Sequence, residues 1–449
     1  MQTNHTTVNT LTNLHLAAGM ALWASWSVLV VLLAALDGST GTGISHAELF
    51  ELVAISGVSA TMLQLGGFFI GERAMRASFI YANTMVLIIP ALLLAWALNQ
   101  QLLQLNHLQW IALACGAGGA QFIALQQPNQ SAQMGWQMAV NAAIVGIGIV
   151  VAQVLAPLLV TIPSGFAFAH ASSTSWGTML GSQAPNTPMW LANIGWAAAI
   201  ILALLTANKI AKGQALKAKK LKCLPLSTNC QPLKVLRNRH TWFMTLLFIM
   251  AFGSFIGFAM AFPLSVQAIF ATTREWQGGE LIEAAANHGA PNALTYAWLG
   301  PLCGILARPI GGWLADSYGG AKVTWWCALI LATSCLLAAQ LSDWAYYSAT
   351  PERWFLAYIL VFMLIFSAAG AASSAVCRSI TQLFPAEQAS YALRWVLALG
   401  TAGAAYIPWL WSLTDQPGLA LVGFSLFYLI CATFTRITYL RRHSVHYNP

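Results

Sequence analysis

Apolar residues in this chain come in runs of about twenty, parted by short polar stretches, and the runs recur from one end to the other. A helix needs about twenty such residues to cross roughly 30 Å of hydrocarbon. Runs of that length fall at 14–36, 48–70, 77–98, 106–126, 135–160, 188–207, 241–270, 292–315, 322–341, 354–377, 391–413 and 417–438. The pattern predicts an all-α membrane protein with twelve transmembrane helices. The first run is too long, and too poor in basic residues before it, for a cleaved signal peptide, and no terminal lipidation motif follows.

Composition agrees, since charged residues are 7% of the chain and hydrophobic residues 58%, against about 25% charged in soluble domains. The few charges set the orientation. With both termini cytoplasmic, the inner segments receive Arg73, Arg76, Lys322, Arg378, Arg436, Arg441, Arg442 and the basic stretch from Lys209 to Arg239. The outer loops receive acids, among them Asp37, Glu48, Glu51, Asp343 and Glu352, with only Arg274 and Arg353 as bases. This is the positive-inside asymmetry of a multi-pass protein of the cell's inner (plasma) membrane. It explains the pI near 9.1 through lipid headgroups and without nucleic acid. Residues 208–240 read as a cytoplasmic basic linker between two six-helix halves, 1–207 and 241–449.

Catalytic chemistry has nothing to rest on. Six of the eight cysteines lie in apolar runs, where cysteine acts as a small hydrophobe; Cys223 and Cys230 lack the second pair a zinc site needs. The nine histidines show no metal spacing, and no nucleophile–base pair or phosphate loop is present. The sequence implies no metal, no cofactor and no enzyme.

Arg308 is the exception to the apolar pattern. An arginine near the bilayer centre costs about 2.5 to 3.5 kcal/mol, so it is expected to face a cavity. Its planar fork suits a trigonal oxyanion, and no acid lies deep enough in any span to neutralise it instead. Gly304, Gly311 and Gly312 share its helix face, and Gly253 and Gly257 stack on another helix; these glycines serve either close helix packing or room for a ligand.

Residues 237–262, with Phe252-Gly253-Ser254-Phe255-Ile256-Gly257-Phe258, resemble the seventh helix of the nitrate/nitrite porter family of the major facilitator superfamily. Residues 296–323, with Gly300-Pro301, Gly304 to Arg308, Gly311-Gly312, Asp316 and Gly319-Gly320, resemble its eighth helix and following loop. The resemblance implies two six-helix halves that move a small planar anion, nitrate or nitrite, by alternating access. It implies that Arg308 grips the anion and that Phe258, where relatives often carry Tyr, forms a cavity wall. Asp316 resembles part of the superfamily's inner-loop motif, and reads either as a gating latch on a neighbouring helix N-terminus or as a solvated turn.

The departures matter as much. Gln64 stands where the family's second helix has another anion-gripping arginine, leaving one positive charge where two belong. In the fifth helix Asn141, Gly146, Gly148, Gln153, Ala156 and Pro157 resemble the nitrate signature, but Val145 replaces a glycine and Gly146 an asparagine. In the eleventh, Gly400, Gly403 and Pro408 fit, while Ala404 replaces a glycine. The family's basic loop between helices four and five is missing. Arg394 reads with Arg378 and Glu387 as an interfacial cluster, or else as the missing second charge. The implied substrate set is therefore Arg308, Gln64, Phe258, Asn141, Gly146, Gly148, Gly304, Gly400 and Gly403. Three readings follow: a nitrate or nitrite transporter, a same-fold transporter with shifted solute specificity, and a transport-deficient membrane partner or regulatory protein. Nothing in the sequence sets the oligomeric state.

Overall fold

The computed structural model describes residues 16–34, 44–70, 105–119, 134–161, 232–277, 280–414, 416–441 and 447–449. The expected third and sixth spans, and most of the 208–240 linker, lie outside the described residues. Seven helices among the described residues are long and apolar enough to cross a membrane. The spans keep their order along the chain below: first Leu16–Ala34, second His46–Ile70, the start of the fourth Leu105–Cys115, and fifth Met134–Thr161. After these come the seventh Arg239–Phe270, eighth Leu299–Tyr318, ninth Gly320–Tyr346, tenth Phe355–Leu383 and twelfth Pro417–Tyr439.

Helix starts follow local chemistry. Before the second span the Ser45 hydroxyl accepts the Glu48 N–H at 3.3 Å while the Glu48 carboxylate accepts the Ser45 N–H at 2.7 Å, a reciprocal capping box. The Asn238 side chain accepts the His240 N–H to open the seventh span, and Pro417 occupies the first turn of the twelfth.

Packing runs across the two sequence halves. The second span lies along the eleventh, with Phe50 on Trp411 at 5.7 Å near one end and Phe68 on Trp395 at 5.1 Å near the other. The fifth lies along the eighth. Gln153 of the fifth donates to the Ala259 carbonyl at 2.8 Å and to the Ser27 hydroxyl at 3.4 Å, tying the first, fifth and seventh spans together deep in the apolar interior.

Three features depart from the uniform helices the pattern predicts. The seventh span contains a π-helical turn at Ile249–Gly253. The eleventh is two helices, Ala386–Gly400 and Gly403–Ser412, broken between them. These irregularities face each other: a Cβ on Gly403 would overlap the Gly253 backbone, so only glycine permits this approach. Finally, the loop after the seventh span folds into an antiparallel hairpin, Thr272–Gln277 with Glu280–Ala286, an addition to the all-α expectation.

Candidate functional site

Arg308 sits two and a half turns into the eighth span and is 2% exposed. Glycines on its own face bring other helices close. Gly304 lies under the ring of Phe255 and against the Phe366 backbone carbonyl, and Gly311 against the backbone of Ala371 in the tenth span. The guanidinium is thereby pressed onto the π-turn side of the seventh span, 4.7 Å from the centre of the Phe255 ring and 5.2 Å from that of Phe252. A cation over two ring faces gains electrostatic support without neutralisation.

Its hydrogen bonding is incomplete. Nη1 donates to the Ala142 carbonyl of the fifth span at 3.3 Å. Nε and Nη2 are buried with no hydrogen-bond partner. Among the described residues the ion pair is Arg378–Asp316, and none of them places a carboxylate within ion-pair distance of Arg308. A buried group left this way costs about 1 to 3 kcal/mol, more when charged.

These donors border a cavity of ≈ 20 Å³ lined by Met138, Ala139 and Ala142 of the fifth span, Phe248 of the seventh, Ser373, Ser374 and Cys377 of the tenth, and Leu397 of the eleventh. A space of that size takes about one water, well short of a four-atom anion. On one side the Asp316 carboxylate accepts the N–H groups of Gly135 and Trp136 at 3.2 and 2.9 Å, at the N-terminus of the fifth helix, and the Arg378 Nε–H at 2.6 Å. On the other, Phe50, Trp411 and Phe258 stack in sequence, with centroids 5.7 and 5.9 Å apart. Beyond that aromatic seal lies a vestibule of ≈ 200 Å³ that includes His46, Ser265, Arg274 and Tyr346. One set of contacts is ionic and the other aromatic.

Of the residues singled out from sequence, Arg308 alone lines the cavity. Phe258 is wholly buried among Trp411, Phe362 and Phe424 in the aromatic seal. Gln64 is fully buried and donates to the Gly119 carbonyl at 2.5 Å, with its Oε1 unpartnered. Asn141 is on an exposed face of the fifth span. Gly146 packs under Ile305, Gly148 against the Ala17 backbone, and Gly400 under Phe248. Arg394 is 3% exposed, its guanidinium 5.1 Å from the Tyr391 ring centre, and Arg378 pairs with Asp316; the side chain of Glu387, the third member of the expected interfacial cluster, lies outside the described residues.

Sequence reading missed the tenth-span wall. Its signal was the run of small residues from Ser367 to Cys377, which marks close helix approach in a membrane. Gly370 there meets the Gly304 backbone and brings Ser373, Ser374 and Cys377 level with Arg308.

No protein-family model matches the chain. Among solved structures, the nucleoside transporter NupG aligns with a TM-score of 0.57 at 15% identity, over 96% of this chain and 98% of that one. A variant of the E. coli fucose:proton symporter FucP aligns with a TM-score of 0.52 at 13% identity, over 95% and 98%. The fold is that of these two transporters, and the chain is a multi-pass membrane protein. Its sequence is 28% identical over 429 residues to the probable nitrate/nitrite antiporter NarK2 of Thermus thermophilus, covering 93% of this chain and 87% of that protein. It is also 28% identical over 464 residues to the nitrate/nitrite transporter NarU of Escherichia coli K12, covering 95% and 90%. Over nearly its whole length the chain is thus similar, at 28% identity, to proteins named as nitrate/nitrite transporters.

Proposed function

We propose that this protein carries a monovalent planar anion, nitrate or nitrite, across the inner membrane by alternating access, with Arg308 as the group that grips it. The observation that carries this reading is the buried guanidinium with two unpartnered nitrogens and, among the described residues, no carboxylate in reach. An oxyanion supplies both the missing acceptors and the missing charge. Ser373, Ser374 and Cys377 of the tenth span offer neutral polar contacts in the same cavity. With a neutral Gln64 in place of a second arginine, a monovalent anion leaves the site uncharged, whereas a dianion leaves a buried net negative charge that costs several kcal/mol, on the order of the penalty for any unpaired buried ion.

Access requires the halves, 1–207 and 241–449, to part at one seal while the other holds. The positive-inside distribution puts Asp316 and both termini on the cytoplasmic side, so the Asp316 contacts form the inner gate and the aromatic stack the outer one. The glycines at 146, 148, 304, 400 and 403 let neighbouring backbones slide closely as the halves rock.

The test is counterflow in proteoliposomes, with nitrate inside and labelled nitrite outside. Nitrate-driven nitrite entry that sulfate does not replace supports the reading. Equal exchange of other small solutes in place of nitrate favours shifted specificity, the second reading that Gln64 supports. No exchange of any anion, with the protein folded, makes it a transport-deficient membrane partner.

A further inference from the structure

Residues 447–449 come back to the bundle at the turn between the eighth and ninth spans. That turn is unusually tight. The eighth helix ends at Tyr318 and the ninth begins at Gly320, joined through Gly319 at φ +89°, and neither helix start carries a side-chain cap of its own. The last carbonyls of one helix and the first N–H groups of the next therefore lack intrahelical partners.

Asn448 and Pro449 supply them. The Asn448 side chain donates from Nδ2 to the Tyr318 carbonyl at 2.7 Å and accepts the Lys322 N–H on Oδ1 at 3.1 Å. The Pro449 carbonyl accepts the Ala321 N–H at 3.1 Å and the Ser379 hydroxyl at 3.0 Å. The Asn448 N–H donates to the Tyr439 carbonyl at 2.9 Å, tying the segment to the end of the twelfth span. Asn448 adopts φ 50°, the left-handed region that asparagine tolerates better than most residues. A Cβ on Gly319 would occupy the space of the Asn448 amide, so the turn and the side chain fit as a pair. An amide that donates one way and accepts the other has the polarity of a peptide group, which aspartate or alanine lacks.

This docking lies against the latch. Asp316 is two residues before Tyr318, and Arg378 is next to Ser379. We propose that residues 447–449 act as a strap that preorganises the Asp316–Arg378 pair to receive the N-terminus of the fifth helix, so that docking of the strap biases the transporter towards closure at the Asp316 end and its release is a point of control.

The strap rests on the alternating-access reading but not on the identity of the solute. Its test uses the full-length protein with native cysteines replaced and Met138→Cys introduced, since Met138 lines the cavity behind the latch. Labelling by a membrane-impermeant maleimide then reports opening at that end. Asn448→Ala, which removes both side-chain hydrogen bonds of the strap, is expected to raise the labelling rate about tenfold or more, and Ser379→Ala, which removes one hydrogen bond to the strap, about fivefold. Ser379→Ala keeps the test open if the first variant fails to fold. Unchanged labelling in folded variants overturns the strap. Faster labelling without any nitrate counterflow leaves the strap standing and overturns the nitrate reading instead.

Discussion

Arg378 donates its Nε–H to the Asp316 carboxylate at 2.6 Å, and that same carboxylate accepts two backbone N–H groups from the start of the fifth helix. The arginine belongs to the tenth span and the acceptor to the eighth, so the pair is internal to the second half; the helix it holds belongs to the first. Rocking must break the contacts to the fifth helix and can keep the ion pair.

Asp316→Asn is therefore expected to open that end. It removes the charge that complements both the guanidinium and the positive helix terminus, worth about 1.5 to 3 kcal/mol for charge-assisted bonds. Thiol labelling of a cysteine at Met138 should accelerate by at least about tenfold. A labelling rate equal to wild type would mean the latch does not limit opening.

Arg308→Lys keeps the charge and loses the fork. A lysine ammonium is a point donor and cannot bind two oxygens of a planar anion at once. Nitrate binding by calorimetry is expected to weaken by about a hundredfold or more. Affinity within a few-fold of wild type would refute bidentate recognition.

Gln64→Arg should restore a second positive charge. At an effective dielectric near 20, a unit charge at about 4 Å from an anion contributes roughly 4 kcal/mol before desolvation. Nitrate binding is expected to tighten, with a steeper salt dependence. Because Gln64 is fully buried against the Gly119 carbonyl, the new side chain must also displace that bond. No gain in a well-folded variant would show that the position does not address the anion.

Gly403→Ala tests the junction of the two helix irregularities. The added methyl meets the Gly253 backbone, which has no rotamer with which to yield. Thermal unfolding in detergent should show a loss of about 1 to 3 kcal/mol, the usual cost of overpacking, together with slowed counterflow. An unchanged midpoint would argue that the seventh and eleventh spans separate readily here.

Cys377 offers a direct readout of the cavity. It shares the wall with Arg308, so in a chain whose other cysteines are replaced, an anionic methanethiosulfonate should react faster than a cationic one, and nitrate should protect. Equal rates for the two reagents would mean that no anion path reaches the thiol.

The apolar runs and the arginine deep in the eighth run are local properties, and they were enough to define a multi-span membrane protein with a buried arginine in its eighth helix. Burial of Arg308 follows from the cost of placing a guanidinium in hydrocarbon, whatever its neighbours. Which groups meet it does not. The Ala142 carbonyl is 166 residues away in sequence, and Ser373, Ser374 and Cys377 reach the cavity only because Gly304 and Gly370 let two helices touch. Phe258 and Phe255 are one helical turn apart and carry the same side chain, yet one packs in the aromatic cluster with Trp411 and the other over the guanidinium. The broken eleventh span and the docking of Asn448 likewise depend on partners distant in the chain. Hydrophobic length is written residue by residue, so the sequence by itself determined the spans; the pairing of faces between spans is a long-range choice, and only the tertiary structure decided it.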